Sequence, residues 1–109
     1  MRVSLINLNL VAHDAIGRTM LDQIRFFRRR GDQVQAYLMY PPQKVGEDVE
    51  ALTHAVQLSD LITRQDEHFI QSDLFVYHYP GRYALLESIK EIERGAVIFY
   101  HHNVTPPEL

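Results

Sequence analysis

Apolar positions along the chain switch between two periods, and the switching predicts alternating strands and helices. Residues 3–8, with Val3, Leu5, Ile6 and Leu8, read as a buried strand. Residues 17–30 carry Met20, Leu21, Ile24 and Phe27 at helical spacing, with Arg18, Asp22, Arg25 and Arg29 elsewhere around the wheel. Gly31 then supplies a helix stop. Residues 33–40 return to period two through Val34, Ala36, Leu38 and Tyr40, and Pro41-Pro42 ends that strand. Glu47 and Asp48 open a second predicted helix, running to about residue 64 with Ala51, Ala55, Leu58 and Ile62 on its inner face. Acidic residues in a first turn suit the helix dipole. Residues 74–78 are continuous and apolar, as in a strand covered on both faces. Residues 82–94 form a third predicted helix, with Leu85, Leu86, Ile89 and Ile92 inward and Gly95 as its end. Residues 96–100 are a fourth apolar strand.

Strand–helix alternation of this kind implies an α/β, Rossmann-like three-layer domain: a parallel sheet of about four strands with right-handed crossovers. Ligands of such sheets bind beyond the carboxyl ends of the strands, so the segments after Leu8, Val76 and Tyr100 are where chemistry is expected.

The 109 residues are 46% hydrophobic and 23% charged, which fits one globular domain. The net charge of −3 argues against a general nucleic-acid binder, which needs a basic face. The absence of cysteine excludes disulfide and thiol chemistry. Apolar runs are strand-length, far short of the ~20 residues that span a bilayer, and no signal-peptide core follows Met1. A cytoplasmic setting is the simplest expectation.

The last residues read as a beginning. Thr105 can serve as an N-cap, Pro106 falls at the first helical position and Glu108 completes a Thr-x-x-Glu capping box. Only Leu109 follows, so a truncated parent protein is expected.

Three loops carry candidate chemistry. In the first, His13, Asp14, Gly17 and Arg18 precede the first helix. A helix N-terminus there offers N–H groups and positive potential to a phosphate, with Gly17 permitting close backbone approach and Arg18 adding charge. Equally, Asp14 can simply cap the helix. The second loop, His78-Tyr79-Pro80-Gly81-Arg82, reads by itself as ordinary turn chemistry. The third holds His101, His102 and Asn103. Adjacent histidines of an extended chain point to opposite sides and make a poor ligand pair, and His78 with one of them lacks a third ligand. No metal is expected; an imidazole donating a hydrogen bond into a cleft fits better. The cluster Arg28-Arg29-Arg30 lies in a last helical turn and reads as a solvated end that offsets the dipole.

Taken together, Asp14-Ala15-Ile16, Asp73-Leu74-Phe75-Val76-Tyr77-His78-Tyr79 and Tyr100-His101-His102-Asn103-Val104-Thr105-Pro106-Pro107-Glu108 resemble the amino-terminal domain of glycosyltransferase family 4, the retaining enzymes of GT-B fold that use nucleotide-sugar donors. The resemblance spans nearly the whole chain. It implies an amino-terminal domain that binds the acceptor, facing a carboxy-terminal domain, absent here, that holds the nucleotide-sugar; no metal or other cofactor is implied. The loop from His13 to Gly17 would then approach donor phosphates or acceptor, and His102, just before Asn103, would match the family's cleft histidine. His13 stands where the family has glycine, and His101 is an extra histidine to which the cleft role could equally fall. By itself the chain is expected to be inactive in transfer. Two competing readings use the same fold: a non-catalytic interaction or homodimerisation module with an uncovered sheet edge, and a flavodoxin-like nucleotide or flavin binder.

Overall fold

The computed structural model describes residues 1–63 and 66–101. The elements run β1 (Arg2–Asn7), α1 (Ala15–Arg29), β2 (Gln33–Leu38), α2 (Glu47–Glu50), β3 (Thr53–Ala55), α3 (Leu58–Ile62), α4 (Glu67–Ile70), β4 (Leu74–Tyr79), a 3-10 helix (Ala84–Glu91) and β5 (Ala96–His101). Five strands form one sheet in the order β3-β2-β1-β4-β5, and every pairing is parallel. The protein is therefore an α/β domain of the Rossmann-like, three-layer class.

Alternation along each strand sorts the core into two halves. Val3 and Leu5 of β1, Val34, Ala36 and Leu38 of β2 and Val76 of β4 face α1 and α2, where they meet Met20, Leu21, Ile24 and Val49. Ile6, Tyr37, Phe75 and Tyr77 face the other way, onto Leu61 of α3, Phe69 of α4 and Leu85 of the 3-10 helix. The first half is aliphatic and the second largely aromatic. Phe69 stacks edge-on against Tyr37 and Phe75, with centroids 5.6 and 5.2 Å apart. Such pairs add to the area they bury.

The aromatic half also holds buried hydroxyls, and each has a partner. Tyr37 donates to Asp66 (2.8 Å), and Tyr77 donates to Ser88 (2.8 Å), whose own hydroxyl donates to the Leu85 carbonyl (2.6 Å). Burial raises the Tyr37 pKa and pushes Tyr77 up to about 12, so both stay protonated donors.

Two expected helices differ from the prediction. The segment read as one helix from 47 to 64 divides into α2, the strand β3 and α3. The Thr53 hydroxyl bonds the Glu50 carbonyl (2.9 Å) as the first turn ends, and Ala36 N–H reaches Leu52 O (2.9 Å) at the start of β3. Local bonding by a threonine competes with helix continuation. Residues 53–55 gain a ladder with β2 instead, which makes the sheet five-stranded rather than four. The expected inner residues Ala51, Ala55 and Ile62 are exposed; Val49 and Leu61 are buried in their place. The predicted helix 82–94 is a 3-10 helix over Ala84–Glu91. Three residues per turn stack Leu85 over Ser88, so Ser88 is buried while Ile89 turns outward.

Where helix 47–64 was expected to return the chain once, α3 and α4 carry it back across the sheet from β3 to β4. His68 of α4 anchors that return: its Nε2 donates to the Val3 carbonyl (2.9 Å). Burial lowers the His68 pKa below the ordinary 6.5, against a smaller upward pull from the Val3 bond and Asp66 and a downward one from Arg2 and His54. The unfolded chain therefore takes up this proton first on acidification. Stability should be full above pH 6.5 and decline as the pH falls through the window below it. Chemical denaturation across that window should show the decline, and His68→Gln should flatten this part of it; an unchanged slope in the variant would contradict the assignment.

Candidate functional site

Parallel pairing puts every loop that follows a strand on the carboxyl edge of the sheet. Residues 8–14, 80–83 and the end of β5 at His101 therefore share one rim. The chain runs one way from β1 to β3 and the other way from β4 to β5, so the crevice between β1 and β4 is the topological switch point, where ligands of open α/β sheets bind. Tyr83 closes the 3-10 helix side of that crevice. Its buried hydroxyl lies within hydrogen-bond reach of the Ile6 carbonyl on β1 (3.2 Å) and the His78 carbonyl on β4.

The first loop is built around Asp14 and Gly17. Asp14 Oδ1 accepts the Gly17 N–H at 2.6 Å, and Asp14 O accepts the Arg18 N–H at 3.0 Å, so Asp14 is the N-cap of α1. The carboxylate thus already sits at the positive end of the helix. Gly17 is buried, and its close approach is to the chain itself: a Cβ there would fall 1.9 Å from the Val11 carbonyl oxygen. That packing lets residues 11–14 fold back over the helix start. His13 and Arg18 are exposed at this corner, with Arg18 the loop's cation toward solvent.

The expected histidines separate. His78 lies in β4, as the strand at 74–78 implies, one residue before the strand's end, and it is 0% exposed rather than open to the rim. Its ring faces α1, where Nε2 lies 2.6 Å from Gln23 Oε1 and the ring packs 5.3 Å from Tyr100. His101, opposite Tyr79 in the β4–β5 ladder, is on the other face. The two imidazoles therefore do not converge on one ligand. His102 and Asn103 lie outside the described residues, as does the capping box at 105–108.

What His101 does line is a groove of about 710 Å³ on the 3-10 helix side of the rim, together with Tyr79, Arg82, Leu86, Glu87 and Phe99. Three rings make one wall: Tyr79 lies 5.0 Å from His101 and 5.3 Å from Phe99. Arg82 supplies an exposed guanidinium. Glu87 is held ionised, its pKa lowered by a hydrogen bond from Lys90 (2.6 Å). Aromatic walls with a few polar groups at the rim suit a small ring-shaped ligand with hydroxyl or anionic substituents. Phe99 and Glu87 were not singled out from the sequence, and Tyr79 entered only as part of the second loop and of the strand motif, without a binding role. The signal was there in the parallel register: if Tyr79 pairs with residue 101, then residues 79, 99 and 101 share a face.

No protein-family model, no curated protein and no solved structure matches the chain. The class is therefore carried by the fold: a Rossmann-like α/β domain with an aromatic-walled groove at its carboxyl rim.

Gly17→Ala should destabilise the domain by about 1–3 kcal/mol, because the added methyl must displace the Val11 carbonyl. The same change at Gly81, where a Cβ meets nothing within 4 Å, should stay within about 0.5 kcal/mol. Asp14→Ala should cost about 1 kcal/mol through the lost cap. Urea unfolding of the three variants checks the order; equal midpoints for Gly17→Ala and Gly81→Ala would contradict the packing.

Proposed function

We propose that this chain is the acceptor-side domain of a retaining glycosyltransferase of GT-B type, similar to family 4, in which a nucleotide-sugar held by a second domain delivers its sugar to an acceptor lying on this rim. The observation that carries the reading is the groove of Tyr79, Phe99 and His101 with Arg82 and Glu87, beside the β1–β4 switch point. Aromatic faces accept the C–H face of a sugar ring, Glu87 accepts hydroxyl protons, and Arg82 pairs with an anionic substituent.

Sugar transfer passes through an oxocarbenium-like state while a nucleoside diphosphate departs. Rate then comes from an acceptor held in line and from donors aimed at the phosphates. On this reading the groove supplies the first. Part of the second comes from Arg18 and the α1 start, where Asp14 already offsets the dipole, so the donor domain carries most of the phosphate binding. The motif around residues 100–108 supports the same assignment, with His102 as cleft histidine and His101 as a groove wall. Half a cleft positions an acceptor without completing the reaction.

The test is an amide-resolved titration of the ¹⁵N-labelled chain with methyl α-glucoside, methyl α-mannoside and glucose 1-phosphate. Shifts should centre on Tyr79, Arg82, Phe99 and His101. Arg82→Ala should weaken glucose 1-phosphate about tenfold, since one hydrogen bond to a charged group is worth about 1.5 kcal/mol. The chain alone should transfer no sugar from UDP-glucose. Silence at the rim toward all three probes, or shifts at the opposite edge around Arg2 and Arg94, would contradict the proposal.

A further inference from the structure

Helix α1 buries Met20, Leu21 and Ile24 against the sheet but leaves Phe26 48% exposed. The Arg30 guanidinium lies 5.8 Å from its ring centroid and Phe27 meets it edge-on. Beside the helix runs β5, the edge strand, with Ile98 (49% exposed) and Tyr100 (40% exposed) on the same face. Between them lies a groove of about 630 Å³ whose floor is Val76, Ile98 and Tyr100 and whose wall carries Asp22, Phe26 and Arg29. Residues 96–100 contain no charge and no proline, the devices that usually keep an edge strand single. An exposed apolar patch of this kind marks an association surface.

The charges say what fits. Asp22, Phe26 and Arg29 recur at i, i+4 and i+7, one stripe of the helix with opposite charges flanking a central ring. Neither Asp22 nor Arg29 has an ion-pair partner among the described residues, whereas their neighbours Arg25 and Arg28 both lie against Asp48 (4.0 and 3.9 Å). An acidic partner would meet Asp22 and a basic one Arg29. A stripe of reversed polarity satisfies both, and α1 read in the opposite direction is such a stripe.

We infer that this surface pairs the protein with a second copy of itself, the two α1 helices antiparallel, Phe26 of each near the two-fold axis over the other's groove, and Asp22 of each opposite the other's Arg29. The same patch serves both copies, so the contact is isologous and closes at two. It is independent of the sugar-transfer reading, which concerns the carboxyl rim and the opposite face of β5.

Light scattering of the intact chain tests it, with far-UV circular dichroism to confirm folding of each variant. The wild-type mass should be twice the 12.7 kDa of one chain. D22R should shift it toward monomer by opposing two arginines, and D22R/R29D should restore the dimer. Because the chain has no cysteine, a single one introduced by F26C should form an intermolecular disulfide on oxidation, while E50C, remote from the groove, should not. The disulfide arm stands even where a charge variant fails to fold. A wild-type monomer at the highest soluble concentration overturns the inference. So does a dimer that ignores D22R and is cross-linked by V97C rather than F26C, which would place the contact elsewhere on β5.

Discussion

Everything in this molecule depends on a continuous parallel ladder centred on β1. A parallel pair cannot be closed by a tight turn, so each strand must be followed by a crossover that brings the chain back to the amino edge. Here β1 is paired on both sides, to β2 and to β4, and its Val3, Leu5 and Ile6 are fully buried. The helices cover both faces because the crossovers leave them there, and the loops gather at one rim because every strand points the same way. The site is thus a consequence of strand direction, and only its lining is a matter of particular side chains.

The two faces of the ladder do different work. The α1 face is packed by aliphatic side chains with few polar atoms, whereas the opposite face is built from tyrosine and phenylalanine rings whose hydroxyls are spent on Asp66, Ser88 and the ends of β1 and β4. The Tyr83 hydroxyl is where core and site meet, since it stitches the two strand ends that frame the switch point. Just beyond it, the aromatic layer becomes the exposed wall of Tyr79, Phe99 and His101. The groove is the core of that face continuing past its cover. At β5 the cover runs out on both faces: all six residues are exposed, although the strand is as apolar as the buried ones.

Much of this was legible in the residues alone. α1 and β2 follow from clean periodicity and the Gly31 stop, β1, β4 and β5 from short apolar runs, and the fold class from their order; the helix expected to run up to Gly95 ends at Glu91. What was missed has physical causes. β3 is three residues long, too short to show a period, and Ala51 with Ala55, the strand's last residue, mimics a helical face that the structure leaves exposed. Ser88 was unreadable as a core residue because its burial depends on Tyr77 reaching it from another element and on a three-residue helical repeat. At the site, Asp14 was legible as cap or ligand, and only the 2.6 Å contact to Gly17 assigns it to the cap. His78 was legible as the end of a strand, but its position there does not say which face the ring takes, and only its contact with Gln23 of α1 assigns it to the buried side.

The central claim is that loops distant in sequence share one rim, and a paramagnetic label tests it most directly. The cysteine-free chain accepts a single spin label at His13. Amide signals of Gly81 and His101 should broaden strongly, while those of Gly31 and Gly95, at the opposite edge about 20 Å away by the length of a six-residue strand, should keep most of their intensity. Equal broadening of both sets, or broadening of the Gly31 and Gly95 signals alone, would contradict the account.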